Sequence, residues 1–251
     1  MTNDNFFYII YSIVQGFTEF LPISSSGHLN LLELFFHETT VRNLEYETFA
    51  HFSSLLALIL YLFQKNHLKA DNIRHNFFPI IIATIPALFV GLTIKLFNFT
   101  FISLSIIGYT SIAGGLLLYF SDSSKNIKIK LKNRYLKYLL AGLFQCLAFL
   151  PGFSRSGACI TAFRFLNENR ENSSIQSIYL GLPIIGISFL SNLLEIKSLN
   201  LDFNIAIILI VTFVSAYLTL NLLIKFIEII GFTPFVIYRI LLGVILIVIT
   251  N

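Results

Sequence analysis

Apolar residues run along this chain in long blocks separated by short polar joints. Six blocks, approximately 46–63, 77–97, 101–120, 176–194, 203–223 and 232–249, each reach the ~17–25 residues a helix needs to cross a bilayer core of roughly 30 Å. The joints are Gln64–Asn76, Ser121–Arg134, Asn167–Ser174 and Glu195–Asp202. Pro86 and Pro183 lie inside two blocks, where neighbouring helices can satisfy the carbonyls they free.

Two further apolar stretches are interrupted by a repeated phrase. Phe20-Leu21-Pro22-Ile23-Ser24-Ser25-Ser26-Gly27-His28 breaks the first, and Phe149-Leu150-Pro151-Gly152-Phe153-Ser154-Arg155-Ser156-Gly157 breaks the second. Each copy follows about 16 mostly apolar residues and precedes about 9 more, so neither arm is comfortably long enough to span. An irregular polar backbone is tolerated at that depth only inside protein or beside a water-filled cavity. Both stretches are therefore predicted to be re-entrant, with helices restarting near His28 and near Ala158. Each half is then a hairpin followed by three spans. Three is odd, so the second half starts from the opposite side of the membrane. The predicted fold is an all-α polytopic membrane protein with six transmembrane helices and two re-entrant helix-loop-helix hairpins in an inverted-topology repeat. It forms a single membrane domain, 1–251, with a first repeat at 1–124 and a second at 125–251.

Composition agrees with that picture. Of 251 residues, 56% are hydrophobic and 12% charged, with mean hydropathy +0.79, more apolar surface than a soluble domain can hide. The net charge of +4 does not point to nucleic acid, because the positive residues gather in inter-helix loops. Lys65, Lys69, Arg74, Lys125, Lys128, Lys130, Lys132, Arg134, Lys137, Arg164, Arg170 and Lys225 fall on one side, and only Arg42, Lys95 and Lys197 on the other. The rich side is predicted to be cytoplasmic. The first hairpin then enters from the outer face, the second from the cytoplasmic face, and both termini lie outside. Cys146 and Cys159 sit in apolar stretches and read as small buried hydrophobes, not a disulfide or metal site. Met1-Thr2-Asn3-Asp4-Asn5 lacks the positive start of a cleavable signal peptide.

The candidate chemistry lies at the breaks. Glu19 is a carboxylate inside a membrane segment, which is expensive and usually functional. Gln15, four residues earlier, shares its helix face. Ser24, Ser25, Ser26, Gly27 and His28 bring hydroxyls, a flexible turn and an imidazole together. A helix restarting there offers N–H groups and a positive dipole end to an anion. Ser154, Arg155, Ser156 and Gly157 have the same form, and the Arg155 guanidinium suits bidentate phosphate recognition. If the hairpins meet in mid-membrane, these groups converge on the anionic headgroup of a lipid. Glu19 could hold a divalent cation, Mg²⁺ or Ca²⁺, bridging two phosphates. Metal, Arg155 and N–H groups would then stabilise charge developing in phosphoryl transfer. Glu47 and His51, four apart, read most simply as an interfacial pair. Arg239 reads as an anchor at the start of the last helix, open to contact with a headgroup. The Lys-rich stretch from Lys125 to Lys132 reads as a topology signal.

These motifs resemble the undecaprenyl-diphosphate phosphatases, also called bacitracin-resistance proteins. The likeness rests on the phrase from Gln15 to His28 and on Leu150 to Gly157, and extends to Thr84-Ile85-Pro86-Ala87 and Pro234-Phe235-Val236-Ile237-Tyr238-Arg239. It implies removal of the terminal phosphate from undecaprenyl diphosphate, which recycles the lipid carrier of cell-wall synthesis and confers bacitracin resistance. It also implies a divalent-cation requirement and a multi-pass protein of the bacterial cytoplasmic (inner) membrane, with its site open to the outer, periplasmic face. Carried over by position, Glu19 binds metal with Gln15 or assists catalysis, and Arg155 holds the diphosphate. Ser25 or His28 is the nucleophile. Ser25 is preferred, with His28 as proton-transfer partner. Ser24, Ser26, Gly27, Ser154, Ser156 and Gly157 line the phosphate sites. The chain departs from the pattern at Gln15, where many relatives have Glu, and at Cys159, where a hydroxyl residue is usual. The partners implied are a polyprenyl diphosphate lipid and the membrane, with no nucleic acid and with a homodimer left open.

Two rivals remain to be weighed. The type-2 phosphatidic-acid-phosphatase group also uses Ser-Gly-His and Ser-Arg phrases, but it needs a His where this chain has Thr161, and an Arg-Pro that this chain lacks. A polyprenyl-phosphate transporter or flippase would share the broken-helix architecture yet need no nucleophile.

Overall fold

The computed structural model of the chain describes residues 3–36, 44–97, 103–123, 129–196 and 202–250. The topology signals Arg42, Lys125, Lys128 and Lys197 lie outside the described residues. Those described are helical almost throughout: α1 (Asn3–Thr18), α2 (Ser25–Phe36), α3 (Leu44–Gln64), α4 (Ala70–Leu96), α5 (Leu104–Ser123), α6 (Arg134–Gln145), a 3₁₀ turn (Cys146–Phe149), α7 (Arg155–Phe165), α8 (Arg170–Glu195), α9 (Phe203–Ile230) and α10 (Thr233–Thr250). Six of these, α3, α4, α5, α8, α9 and α10, are long and apolar enough to cross a membrane, and they coincide with the six apolar blocks. The chain is a multi-pass membrane protein.

Three helices outrun their blocks: α4, α8 and α9 have 27, 26 and 28 residues. Hydropathy leaves their polar ends to the joints, but nothing there stops the helix, and the side chains find partners. Asn76 donates to the Asn72 carbonyl at 2.9 Å. Arg170, at the start of α8, donates through Nη2 to Asp122 Oδ2 at 2.9 Å. Arg164 Nε also donates to this buried carboxylate, at 2.8 Å, and Lys137 pairs with Glu168 at 2.6 Å. These three cations, in α8, α7 and α6, are thus pinned to acidic partners. Gly231, at φ 70°, closes α9 in the left-handed conformation that favours glycine there. By contrast α1, α2, α6 and α7 have 16, 12, 12 and 11 residues, all short of the ~20 a span needs. They flank the two breaks.

The chain gathers into two compact units that interleave along the sequence. One takes Met1–Phe20, Ser25–Leu68 and Gly181–Leu222; the other takes Leu21–Ser24, Lys69–Leu180 and Leu223–Asn251. In the first unit, Phe7, Tyr8 and Tyr11 of α1 pack with Tyr46 and Ala50 of α3 and with Ile205 and Ile208 of α9. Gly16 admits α9 against α1, since a Cβ there would lie 2.7 Å from the Thr212 carbonyl oxygen. In the second unit, Gly142 does the same for α4 against α6, where a Cβ would lie 2.2 Å from the Ala83 carbonyl oxygen. Its α10 lies along α5, with Gly108 and Gly243 facing each other so that the backbones meet, a small-residue contact typical of membrane helices.

Candidate active site

The first break sets a carboxylate against a hydroxyl. Glu19 follows α1, yet its N–H still bonds the Gln15 carbonyl at 3.0 Å, so its side chain leaves from the last helical turn. Gln15 Nε2 donates to Glu19 Oε2 at 3.2 Å, and Ser25 Oγ donates to the same oxygen at 3.0 Å. Gln15 and Glu19 are buried and Ser25 is half-buried. Ser25 begins α2, so the helix restarts there and not near His28. This correction has a backbone cause: Ser24, at φ 73°, turns the chain three residues before Gly27, and Gly27 is already helical. Ser25 and His28 consequently stand three apart on one helix, on neighbouring surface positions. Ser26 is exposed, Gly27 buried and His28 half-buried.

The second break repeats that turn. Ser154 stands at φ 74° and its Oγ caps the helix by accepting the Gly157 N–H at 3.1 Å. Hence α7 begins at Arg155, three residues ahead of the predicted Ala158. A left-handed conformation costs a non-glycine residue about 1–2 kcal/mol, a cost found where surrounding structure enforces it. Gly152, at φ 90°, has no room for a side chain: a Cβ would lie 2.5 Å from the Ile107 carbonyl oxygen. Ser156 Oγ lies 3.2 Å from Ser154 Oγ. Arg155 Nη1 donates to the Ser177 carbonyl at 3.4 Å, and Ser177 Oγ donates to the Ser156 carbonyl at 3.2 Å. Cys159 is buried and free of any disulfide, and its thiol donates to Gln145 Oε1 at 3.2 Å.

The loop of the first break packs on that of the second. Ser156 Oγ donates to the Leu21 carbonyl at 2.7 Å, and Leu21 and Ile23 sit in a core with Leu118, Ile160, Phe232 and Val236. Arg239 of α10 is fully buried (0% exposed). Its Nη1 donates to the Pro22 carbonyl at 3.3 Å, and its Nη2 to those of Gly152 at 3.2 Å and Phe153 at 2.6 Å. It is therefore no surface anchor or headgroup contact; it binds the backbone of both breaks. Thr110 and Ser111 of α5, which the sequence reading passed over, donate to the carbonyls of Pro151 and Gly152. A charged residue within an apolar block was the available signal for Arg239; the two hydroxyl residues gave none. Glu47 and His51 pair at 3.6 Å along α3.

A family model described as bacitracin resistance protein BacA matches residues 8–245. The chain belongs to this family. Among its curated relatives, an undecaprenyl-diphosphatase of Pelagibacter ubique is 38% identical over 96% of both chains. One of Roseobacter denitrificans is 34% identical over 97% of both, and undecaprenyl-diphosphatase 1 of Pseudoalteromonas translucida is 34% identical over 96% of both. All three bear phosphatase names, which favours the phosphatase expectation over the transporter alternative.

The family resemblance implies a divalent cation, and the donors present suit one shared with substrate. Glu19 offers a hard carboxylate oxygen, the type Mg²⁺ and Ca²⁺ prefer, while Gln15, whose Nε2 donates to that carboxylate, would have to turn its amide oxygen toward a cation. Among the described residues, no group of three or more His, Cys, Asp or Glu is placed to hold a metal ion. A cation held by Glu19 and Gln15 would complete its shell with phosphate oxygens, as Mg²⁺ commonly does.

Proposed function

We propose that this chain hydrolyses undecaprenyl diphosphate to undecaprenyl phosphate and inorganic phosphate in the bacterial cytoplasmic membrane. The observation that carries the reading is the Ser25 hydroxyl donating to the buried Glu19 carboxylate at 3.0 Å, in a family whose relatives bear the name of that activity. A serine hydroxyl is a weak nucleophile until a base beside it accepts its proton. Ser25 Oγ attacks the terminal phosphorus and Glu19 takes the proton. The bond from that phosphorus to the bridging oxygen breaks, and undecaprenyl phosphate departs. A water molecule then cleaves the phosphoserine, passing its proton to His28, one turn along α2 from Ser25, while Glu19 returns its proton to the freed Ser25 Oγ and phosphate is released. Arg155 grips the diphosphate, aided by Ser154, Ser156 and Gly157 and by Ser24, Ser26 and Gly27. Glu19 and Gln15 would hold a divalent cation, which would neutralise charge on the phosphates.

The same reading makes both broken stretches re-entrant, puts the Lys-rich joints in the cytoplasm and opens the site to the outer face. Phosphate release from purified protein, with and without chelator, tests the activity. Wild type is expected to release phosphate and to stop in chelator. Acid quenching during turnover is expected to trap acid-stable phosphoserine at residue 25. An acid-labile adduct would move the nucleophile to His28, and no release at all would sink the phosphatase reading.

A further inference from the structure

Among the described residues, Arg239 has no carboxylate to answer its charge: no ion pair reaches it, and its hydrogen-bond partners are three backbone carbonyls. Burying an uncompensated guanidinium is costly, and the fold is shaped to accept it. A Cβ on Gly114 would lie 2.0 Å from Nη2, and one on Gly157 would lie 2.9 Å from Nη1. The Phe153 ring also lies against the guanidinium, 5.9 Å from its centre. A hydrophobic residue of similar volume would pack α10 on α5 without that cost. What it could not do is grip backbone.

The gripped carbonyls belong to the two turns ahead of the proposed catalytic and phosphate-binding residues. Pro22 lies two residues before Ser24 and three before Ser25; Phe153 lies directly before Ser154, the cap of the helix that Arg155 begins. All peptide bonds in these turns are trans, so holding the Phe153 carbonyl toward the guanidinium directs the Ser154 N–H away from it. One rigid fork thus fixes the direction of peptide groups in both breaks, while Ser24 and Ser154 sit in a backbone conformation that needs outside support. We propose that Arg239 is a positioning residue for phosphate release, a backbone clamp that holds the loop Leu21–Ser24 and the turn Gly152–Ser154 in one arrangement. This inference rests on the phosphatase reading for its catalytic consequence alone.

Two variants and two readouts test it. Arg239→Lys keeps the charge but loses the planar fork. Gly114→Ala keeps Arg239 but thrusts a Cβ into its guanidinium. In lipid nanodiscs, amide hydrogen exchange of peptides covering Leu21–Ser25 and Gly152–Ser156 is expected to quicken about tenfold or more in each variant, with α3, α8 and α9 unchanged, because local opening is set by local contacts. Phosphate release is expected to fall about 10–100-fold in kcat with KM within about threefold, as for an interaction that matters in the transition state. Unchanged exchange in both loops, or exchange raised equally throughout the protein, would overturn the clamp. Should Arg239→Lys fail to fold, Gly114→Ala decides by the same criteria. If wild type releases no phosphate, the phosphatase reading fails, while the exchange measurement still decides whether Arg239 holds the loops.

Discussion

Thr110 and Arg239 do the same task at opposite breaks: Thr110 donates to the carbonyl of Pro151, and Arg239 to the carbonyl of Pro22. The interval between Thr110 and Arg239 along the chain equals that between Pro22 and Pro151. Each therefore comes from the third span of its own half and reaches the proline of the other half's break. Gly16 and Gly142 cross over in the same way, bringing α9 against α1 and α4 against α6. Such exchange lets the two halves of the sequence trade contacts. The copies differ in charge: where one half holds its partner's loop with a hydroxyl, the other uses a guanidinium that also reaches Gly152 and Phe153.

Thr110→Val should test the neutral member of this pair. It removes the donor and leaves the Pro151 carbonyl without it in a packed setting, a loss of about 1–3 kcal/mol. For a protein of this size a loss of 1 kcal/mol lowers Tm by roughly 2–4 °C. Thermal unfolding in detergent is the measurement, and an unchanged midpoint would mean that the hydroxyl contributes nothing there.

Ser25→Ala and Arg155→Ala should each lower phosphate release at least about 100-fold, the scale of losing one strong transition-state contact. Their signatures differ. Ser25→Ala loses the covalent intermediate and should abolish acid-stable labelling, whereas Arg155→Ala keeps the nucleophile and should label slowly. A near-wild-type rate in either variant removes that residue from the mechanism.

Gln15→Glu should restore a second carboxylate beside Glu19, whose oxygen the Gln15 amide now contacts at 3.2 Å. Two carboxylates bind a divalent cation more tightly than a carboxylate and an amide. Titration of activity against free Mg²⁺ should give a half-saturation point lower in the variant by about tenfold, equivalent to about 1.4 kcal/mol. An unchanged or higher point would place the cation away from Gln15.

Much of the architecture was legible because hydropathy reports burial in lipid directly. The six blocks and two breaks follow from runs of apolar residues and from Pro, Gly and Ser between them. The helices restart three residues ahead of His28 and Ala158, because the turns do not form at Gly27 and Gly157. The left-handed residues are Ser24 and Ser154, and glycine's usefulness at 157 is the space it leaves for Arg239. Gln15 and Glu19 were legible as neighbours through helix spacing, whereas the contact of Ser25 with Glu19 crosses the break between two helices. Arg239 and Thr110 were not, since their partners are backbone carbonyls more than forty residues from Thr110 and more than eighty from Arg239, and a carbonyl leaves no mark in the sequence.

Gly142→Ala should separate close helix packing from catalysis. The added methyl group would lie 2.2 Å from the Ala83 carbonyl oxygen, a backbone atom that can yield only if α4 or α6 moves. Overpacking of this kind costs about 1–3 kcal/mol. The variant should unfold at a lower temperature while the Ser25 to Glu19 contact, which involves neither helix, stays intact. Loss of thermal stability with kcat within about threefold is the expected result, and unchanged stability would mean that α6 shifts without cost.

Cysteine labelling at positions 130 and 251 decides whether the second broken stretch re-enters or spans. Lys130 precedes α6, and Asn251, outside the described residues, follows α10. Between them lie the broken stretch and the three helices α8, α9 and α10. If the stretch re-enters, three crossings put the two positions on opposite sides; if it spans once, four crossings put them on the same side. Lys130→Cys and Asn251→Cys, each in a background with Cys146 and Cys159 replaced by Ala, should differ in intact cells exposed to a membrane-impermeant maleimide. Residue 251 should label and residue 130 should not until the membrane is permeabilised, which also places the Lys-rich joint in the cytoplasm. Equal labelling of both positions would turn the inverted repeat into a parallel one. The two breaks would then open toward the same face, and the site could not be built from hairpins entering from opposite sides.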